Sequence, residues 1–259
     1  MPASGDIVVD ERGPGVWWLT INRASKHNAL ARGVLRDLGH LVTLHATDPQ
    51  ALCIIITGAG NRFFAAGGDL VELASVRDEA ATREMVESSR SALDAIRNAP
   101  IPVLAFLNGD AIGGGAELAV ACDMRLQLAT ARIGFIQAKL AITSAWGGGP
   151  DLCRLVGPSR AMRMMSRCEL IDADQALAWG LADAIIRPES AETDVWSFVE
   201  PMTKAPPQVL RGIKAQTRGI LRGQSYQDRL DLEQSHLLNT WLHDDHWAYA
   251  NNVLSKAKP

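Results

Sequence analysis

The chain has 259 residues, 47% of them apolar, and a formal net charge of −3. That is enough to bury one large core, alone or with an appendage, and no block of like charge suggests a nucleic-acid partner. Its apolar runs are strand-length, short of the roughly 20 residues that cross a bilayer. The start, Met1 to Asp6, has neither the basic cluster nor the apolar stretch of a secretion signal, so a cytoplasmic protein with no membrane partner is expected.

In chain order, Asp6 to Asp10 and Val16 to Ile21 read as strands flanking a turn at Gly13-Pro-Gly15. From Asn28 to His45, Leu30, Val34, Leu35, Leu38, Leu41 and Val42 recur at helical spacing, and Asp48-Pro49 closes that helix. The run Cys53-Ile-Ile-Ile-Thr57 reads as a buried strand, helices fall within 70–98, and Pro102 to Leu107 is a second buried strand. A helix begins at Ala116, and Met124 to Leu128 and Ile133 to Phe135 read as further strands. Beyond Trp146 the pattern turns helical: Pro158 opens one helix, and Asp172 to Gly180 is a helix capped at both ends. Pro206 to Leu221 and Tyr226 to Leu242 are long and amphipathic. The expectation is an α/β core over 1–200 followed by a helical region over 201–259.

Cys53, Cys122, Cys153 and Cys168 lack metal-ligand spacing and read as reduced thiols. His243-Asp-Asp-His246 raises a metal question, but a solvated helix joint with an Asp cap explains it better, so no metal is expected. Gly58-Ala-Gly60 ends a strand as a dinucleotide-binding turn would, but Arg62, Phe63 and Phe64 leave the glycine fingerprint incomplete. Tyr226 and Tyr249 have Leu230 and Val253 four residues on, which removes a Tyr-x-x-x-Lys pair. No P-loop and no Gly-x-Ser-x-Gly occur.

The most informative stretch is Ile112-Gly-Gly-Gly-Ala-Glu117-Leu-Ala-Val-Ala-Cys-Asp123. Glycines before a helix start let a ligand oxygen reach unpaired backbone N–H groups, and Glu117 stands close by as an acid or base. Such a pair can make and protonate an enolate, although a tight turn with an acid in the first helical turn has the same spelling. A second glycine-bearing loop, Phe63-Phe-Ala-Ala66-Gly-Gly-Asp69-Leu70, can supply another N–H to the same oxygen.

With these two loops the chain resembles the enoyl-CoA hydratase/isomerase (crotonase) family. The likeness runs from Leu19-Thr-Ile-Asn-Arg23-Ala-Ser-Lys26-His-Asn28-Ala29-Leu30 through Pro100 to Gly109 and Ile133 to Gly148, and on to a final helix from Asp245. It implies a spiral of strand-strand-helix turns with a C-terminal helical region, an acyl-CoA thioester as substrate, and a trimer or a pair of trimers. No cofactor is implied beyond the coenzyme A carried by the substrate. By position, the oxyanion hole falls on the N–H groups of Ala66 and Gly114. Arg23, Lys26, Ala29 and Leu30 belong to the loop that takes the adenosine diphosphate end, helped by Lys256 and Lys258 near the terminus. Asp69, Leu70 and Trp146 fall at the acyl pocket, although a cap on the helix starting at Leu70 suits Asp69 better and Trp146 also reads as a core tryptophan.

The likeness has one gap. Hydratases of this family place two glutamates at the double bond; one matches Glu117, and the other falls on Gln137. An amide orients but does not exchange protons. One-acid chemistry, such as decarboxylation of a malonyl-type thioester, is therefore favoured, and the Glu117, Gln137 and Trp146 segments also resemble the family's ethylmalonyl-CoA decarboxylase branch. A hydratase with a modified site and a non-catalytic acyl-CoA binder are the alternatives.

Overall fold

A computed structural model describes residues 5–221 and 223–256. The readings of the Met1 to Ser4 start and of Lys258 lie outside the described residues. The chain opens with the hairpin β1 (Ile7–Glu11) and β2 (Val16–Ile21), then α1 (Arg32–Ala46). Three rounds follow, each with two strands and then helix. They are β3 (Cys53–Gly58), β4 (Phe63–Ala65), α2 (Leu70–Leu73) and α3 (Glu79–Asn98); β5 (Val103–Leu107), β6 (Asp110–Ile112) and α4 (Gly114–Ala121); and β7 (Met124–Leu128), β8 (Ile133–Gly134), a 3-10 turn (Gln137–Leu140), α5 (Gly148–Val156) and α6 (Pro158–Arg167). After α7 (Ala173–Trp179) and β9 (Ala184–Ile186) come four helices: α8 (Ala191–Thr203), α9 (Pro207–Leu221), α10 (Tyr226–Trp241) and α11 (Asp244–Lys256).

The first strand of each round joins a six-stranded sheet ordered β1-β2-β3-β5-β7-β9, and the second joins a three-stranded sheet ordered β4-β6-β8. In the large sheet β1 and β2 pair antiparallel and the other described neighbours pair parallel. This is the spiral of strand-strand-helix turns expected from the sequence. Both faces of the large sheet are covered, so β3 and β5 at its centre are buried at every position instead of alternating. Ile54 and Ile56 of β3, with Val103, Ala105 and Leu107 of β5, pack against α1 and α3 residues such as Leu38 and Leu93. Cys53, Ile55, Leu104 and Phe106 face the other way, onto Val195 and Val199 of α8. Residue 200 thus falls inside a helix that belongs to the core by packing, and the tail helices begin at α9.

The helix expected from Asn28 starts four residues later. His27 and Asn28 both have positive φ, 54° and 53°, and asparagine tolerates that conformation better than most residues. The Asn28 side chain accepts from the Arg23 N–H at 3.1 Å and donates to the carbonyls of Ala59 and Phe63 at 3.0 and 2.7 Å. Leu30 bridges to Gly68 instead of starting a helix. The α7 reading holds at both ends: Asp172 accepts from Gln175 N–H at 2.9 Å, and Gly180 closes the helix at φ 71°. No helix among the described residues is long and apolar enough to cross a membrane.

Candidate active site

The site is built at the start of α4. Gly113 precedes the helix with φ 58°, a conformation costly for other residues. A side chain on Gly115 would overlap the Ala65 carbonyl, so only glycine lets α4 lie this close to β4. The whole of α4 is buried, and Glu117 in its first turn is 3% exposed. Its carboxylate is held on both oxygens. Oε1 accepts from the Gln137 side-chain amide at 3.0 Å; Oε2 accepts from the backbone N–H groups of Trp146 at 2.9 Å and Gly148 at 3.0 Å. Burial pushes the Glu117 pKa up, and these donors offset only part of the rise. The result is an acid disposed to hold a proton yet aimed by three hydrogen bonds.

Gln137 therefore stands beside Glu117 as the sequence suggests. It acts as a donor to the carboxylate.

The paired amides are arranged differently from the expectation. Gly114 occupies the first position of α4, where the N–H has no partner within the helix, and no acceptor meets it among the described residues. The Ala66 N–H, expected as its counterpart, is already spent on the His27 carbonyl at 3.1 Å. Two residues on, the Leu30 bridge takes its bonds from Gly67 O, which accepts from Leu30 at 2.8 Å, and Asp69 N, which donates to Leu30 O at 3.3 Å. That pattern turns the Gly68 N–H to the opposite side, away from Leu30. Gly67, at φ 104°, reverses the chain between the two positions. Gly68 and Gly114 both sit against the buried Trp146 ring. The Gly67-Gly68 doublet was the available signal, a counterpart of the triplet at 113–115.

The enoyl-CoA hydratase/isomerase family model matches residues 11–251. The chain belongs to the enoyl-CoA hydratase/isomerase family. It is 36% identical over 177 residues to a crotonyl-CoA hydratase of Syntrophomonas wolfei, covering 68% of each chain. It is 29% identical over 216 residues to an ethylmalonyl-CoA decarboxylase of Gallus gallus, covering 82% of this chain and 72% of that one. The crystal structure of an enoyl-CoA hydratase from Bacillus anthracis superposes with a TM-score of 0.91 at 28% identity over 98% of both chains. The fold is therefore that of the enoyl-CoA hydratase/isomerase family, and relatives with both chemistries are at similar distance.

The loop assigned to the adenosine diphosphate end needs correction in three of its four residues. The Arg23 side chain is 9% exposed and consumed internally. It pairs with Asp69 at 3.1 Å and Asp6 at 3.5 Å, and donates to the Ala29 carbonyl. The N–H groups of Ala29 and Leu30 are likewise used, on Lys26 O at 3.0 Å and Gly67 O at 2.8 Å. These residues shape the loop: the Arg23 charge is met by two carboxylates, and the two backbone N–H groups are taken. Lys26 is different: it is exposed and makes no ion pair among the described residues. It lines an open groove of about 640 Å³ with Arg23, His27, Ala29, Asp69 and Val71.

Asp69 occupies the cap position of α2, and its side chain pairs with Arg23 at 3.1 Å. Burial acts to raise its pKa, but the Arg23 hydrogen bond and charge, together with the backbone N–H groups of Glu72 and Val71 at the head of α2, prevail and hold it low. Leu70, at the head of α2, is 60% exposed, and Lys256 is exposed at the end of α11. Asn108 was not singled out as a site residue, yet it braces the strand ends. It accepts from Gly58 N–H at 2.9 Å and donates to Gly60 O at 2.7 Å. No group of three or more His, Cys, Asp or Glu side chains among the described residues could hold a metal. His243 and His246 lie at the α10–α11 joint, where His246 stacks on Trp241 at 4.5 Å.

Proposed function

We propose that this protein processes an acyl-CoA thioester by one-acid chemistry, with decarboxylation of a malonyl-type acyl-CoA as the reaction. The observation that carries this reading is the Glu117–Gln137 pair: one titratable group, and beside it an amide that donates to Glu117 at 3.0 Å. The thioester oxygen sits between the N–H groups of Gly114 and Gly68. The bond from the alpha carbon to the substrate carboxylate breaks, carbon dioxide leaves, and the electron pair moves into the thioester to form an enolate held by those two amides. Glu117, whose hold on a proton burial strengthens, delivers a proton to the alpha carbon and is reprotonated from water. The balance is one malonyl-type thioester and one proton in, one saturated acyl thioester and one carbon dioxide out.

The Trp146 ring closes the space behind the two glycines and limits the acyl group on that side, while Leu70 borders the entrance. Lys26, with Lys256 from the same or a neighbouring copy, pairs with the coenzyme A phosphates. A trimer or pair of trimers in the cytoplasm, with no cofactor beyond the substrate's own coenzyme A, completes the proposal.

The second reading, hydration of a 2-enoyl-CoA, draws on the likeness to the Syntrophomonas wolfei crotonyl-CoA hydratase. Mass spectrometry of parallel incubations with crotonyl-CoA, methylmalonyl-CoA and ethylmalonyl-CoA separates the two. Loss of carbon dioxide from a malonyl thioester is the expected result. Hydration of crotonyl-CoA with no decarboxylation overturns it in favour of the second reading.

A further inference from the structure

Glu117 receives a hydrogen bond from the Trp146 N–H, and that N–H belongs to the same planar peptide unit as the Ala145 carbonyl. The Ala145 carbonyl in turn accepts from Nη2 of Arg90 at 2.9 Å. A guanidinium, one peptide group and the Glu117 carboxylate therefore stand in line. One turn-pair along the same face of α3, Arg97 donates to the next carbonyl, that of Trp146, at 2.9 Å. The outward carbonyls of the 145–146 loop are held by α3 arginines, and its inward amides hold Glu117.

We infer that Arg90 is a positioning residue for Glu117, acting through the Ala145–Trp146 peptide to fix the carboxyl and to favour its ionised form. The inference rests on Glu117 being the site's acid, and not on which reaction it serves. A cation on the carbonyl end polarises a peptide and strengthens its N–H as a donor. Its positive charge also lies on the side of the peptide that favours a carboxylate beyond it.

The other charged groups on elements around Glu117 are offset. On α3, Arg97 pairs with Asp94 and, across to α5, with Asp151, each at 2.8 Å; Arg154 pairs with Asp151 at 3.0 Å. On β6, Asp110 pairs with Arg132, and on β7 Arg125 pairs with Asp183. Asp123, beyond the far end of α4, pairs with Lys214. Glu87 on α3 and Lys139 in the 3-10 turn are exposed. Arg90 is the α3 cation near this loop that makes no ion pair among the described residues.

The test needs no substrate. The full-length protein is labelled with carbon-13 at glutamate side-chain carboxyls, the Glu117 resonance is assigned by its loss in Glu117→Gln, and its midpoint is followed with pH. Arg90 is exposed, so Arg90→Gln is expected to fold normally. It should raise the Glu117 midpoint by about half a pH unit, the size of a unit charge acting across one peptide in a water-facing setting. Arg90→Lys, which keeps the charge, should leave most of the wild-type value. An unchanged midpoint in Arg90→Gln overturns the inference, as does an Arg90→Lys shift as large as the Gln one, which would mark a purely steric role. A protein that decarboxylates none of the thioesters above would refute the proposed reaction and leave this titration intact.

Discussion

Glu117 in the first turn of α4 and Asp123, two residues past its end, are carboxylates at opposite ends of one short helix with opposite surroundings. Glu117 accepts three hydrogen bonds, all from neutral amides, and burial pushes its pKa up. Asp123 accepts from the Val103 N–H at 2.7 Å and from Lys214 of α9, a residue only 3% exposed. Burial pulls the Lys214 pKa down, and the charge of Asp123 restores part of it. A buried acid that lacks a paired counter-charge binds a proton more readily than one in water; one with a counter-charge is a fastener. The same helix thus carries chemistry at one end and attachment at the other.

The attachment extends along α9. Arg211, Lys214 and Arg218 recur on one helical face. Arg211 donates to Ala46 O and Asp48 O at the end of α1, at 3.0 and 2.6 Å. Arg218 donates to Asn98 O at 2.7 Å and Ala99 O at 3.3 Å at the end of α3. Three cations thus meet the C-terminal, partially negative ends of three core helices. A cavity of about 500 Å³ under α9, lined by Arg97, Cys122, Asp123, Lys214 and Arg218, belongs to this junction.

The sharpest break of the comparison is at the chemical end. Glu117→Gln should lower turnover by about 10²–10⁴-fold, the usual worth of a positioned acid, with the circular dichroism spectrum unchanged. Near-normal turnover would remove Glu117 from the mechanism. At the other end, Lys214→Met strands Asp123 and should cost about 3–5 kcal/mol in denaturant unfolding. The double variant Asp123→Asn/Lys214→Met should recover much of that loss, because the uncompensated charge goes too. Unchanged unfolding of Lys214→Met would mean that α9 is held by its arginines and packing alone.

Gln137→Glu sharpens the contrast by placing a second carboxyl within hydrogen-bond range of Glu117. The two groups would then share protons as a coupled pair, with one pKa raised further. Hydration of a short 2-enoyl-CoA should rise above that of the wild type, since both proton transfers then have a titratable group. No gain with crotonyl-CoA would point to the pocket behind Trp146 as the limit.

Most of the spiral was legible because two-sided burial leaves long apolar strands at Cys53–Gly58 and Val103–Leu107, with helical periodicity between them. Most of the small sheet was hidden: β4 and β6 have only three residues each, too few for any period, and of its strands only β8 shows, within the Ile133 to Phe135 reading. At the site, Glu117 and Gln137 were legible because side-chain chemistry is written in the residue names. The backbone donors were not. Whether Ala66 or Gly68 offers its N–H depends on the positive φ of Gly67 and on a bridge to Leu30 from 38 residues earlier, which no local pattern records. Arg23 misled for a related reason: a cation in a phosphate-facing loop has the same spelling whether it is free or paired to Asp69.

The smallest expected effect is on stability as a function of pH, and its sign follows from the contrast. The folded Glu117 pKa lies above the unfolded value, so between the two the folded chain binds more protons than the unfolded one. Stability therefore falls as pH rises through that window and is level on either side of it. For this group the protonated side is the favourable one, opposite to a salt-bridged carboxylate. Glu117→Gln removes the titration while keeping shape and one hydrogen-bond acceptor. The unfolding free energy of the wild type relative to Glu117→Gln should thus decline from pH 4.5 upward and then flatten. A wild type that instead gained on the Gln variant with rising pH would mean the three amide donors outweigh burial, and the contrast between the two ends of α4 would collapse into two stabilised carboxylates.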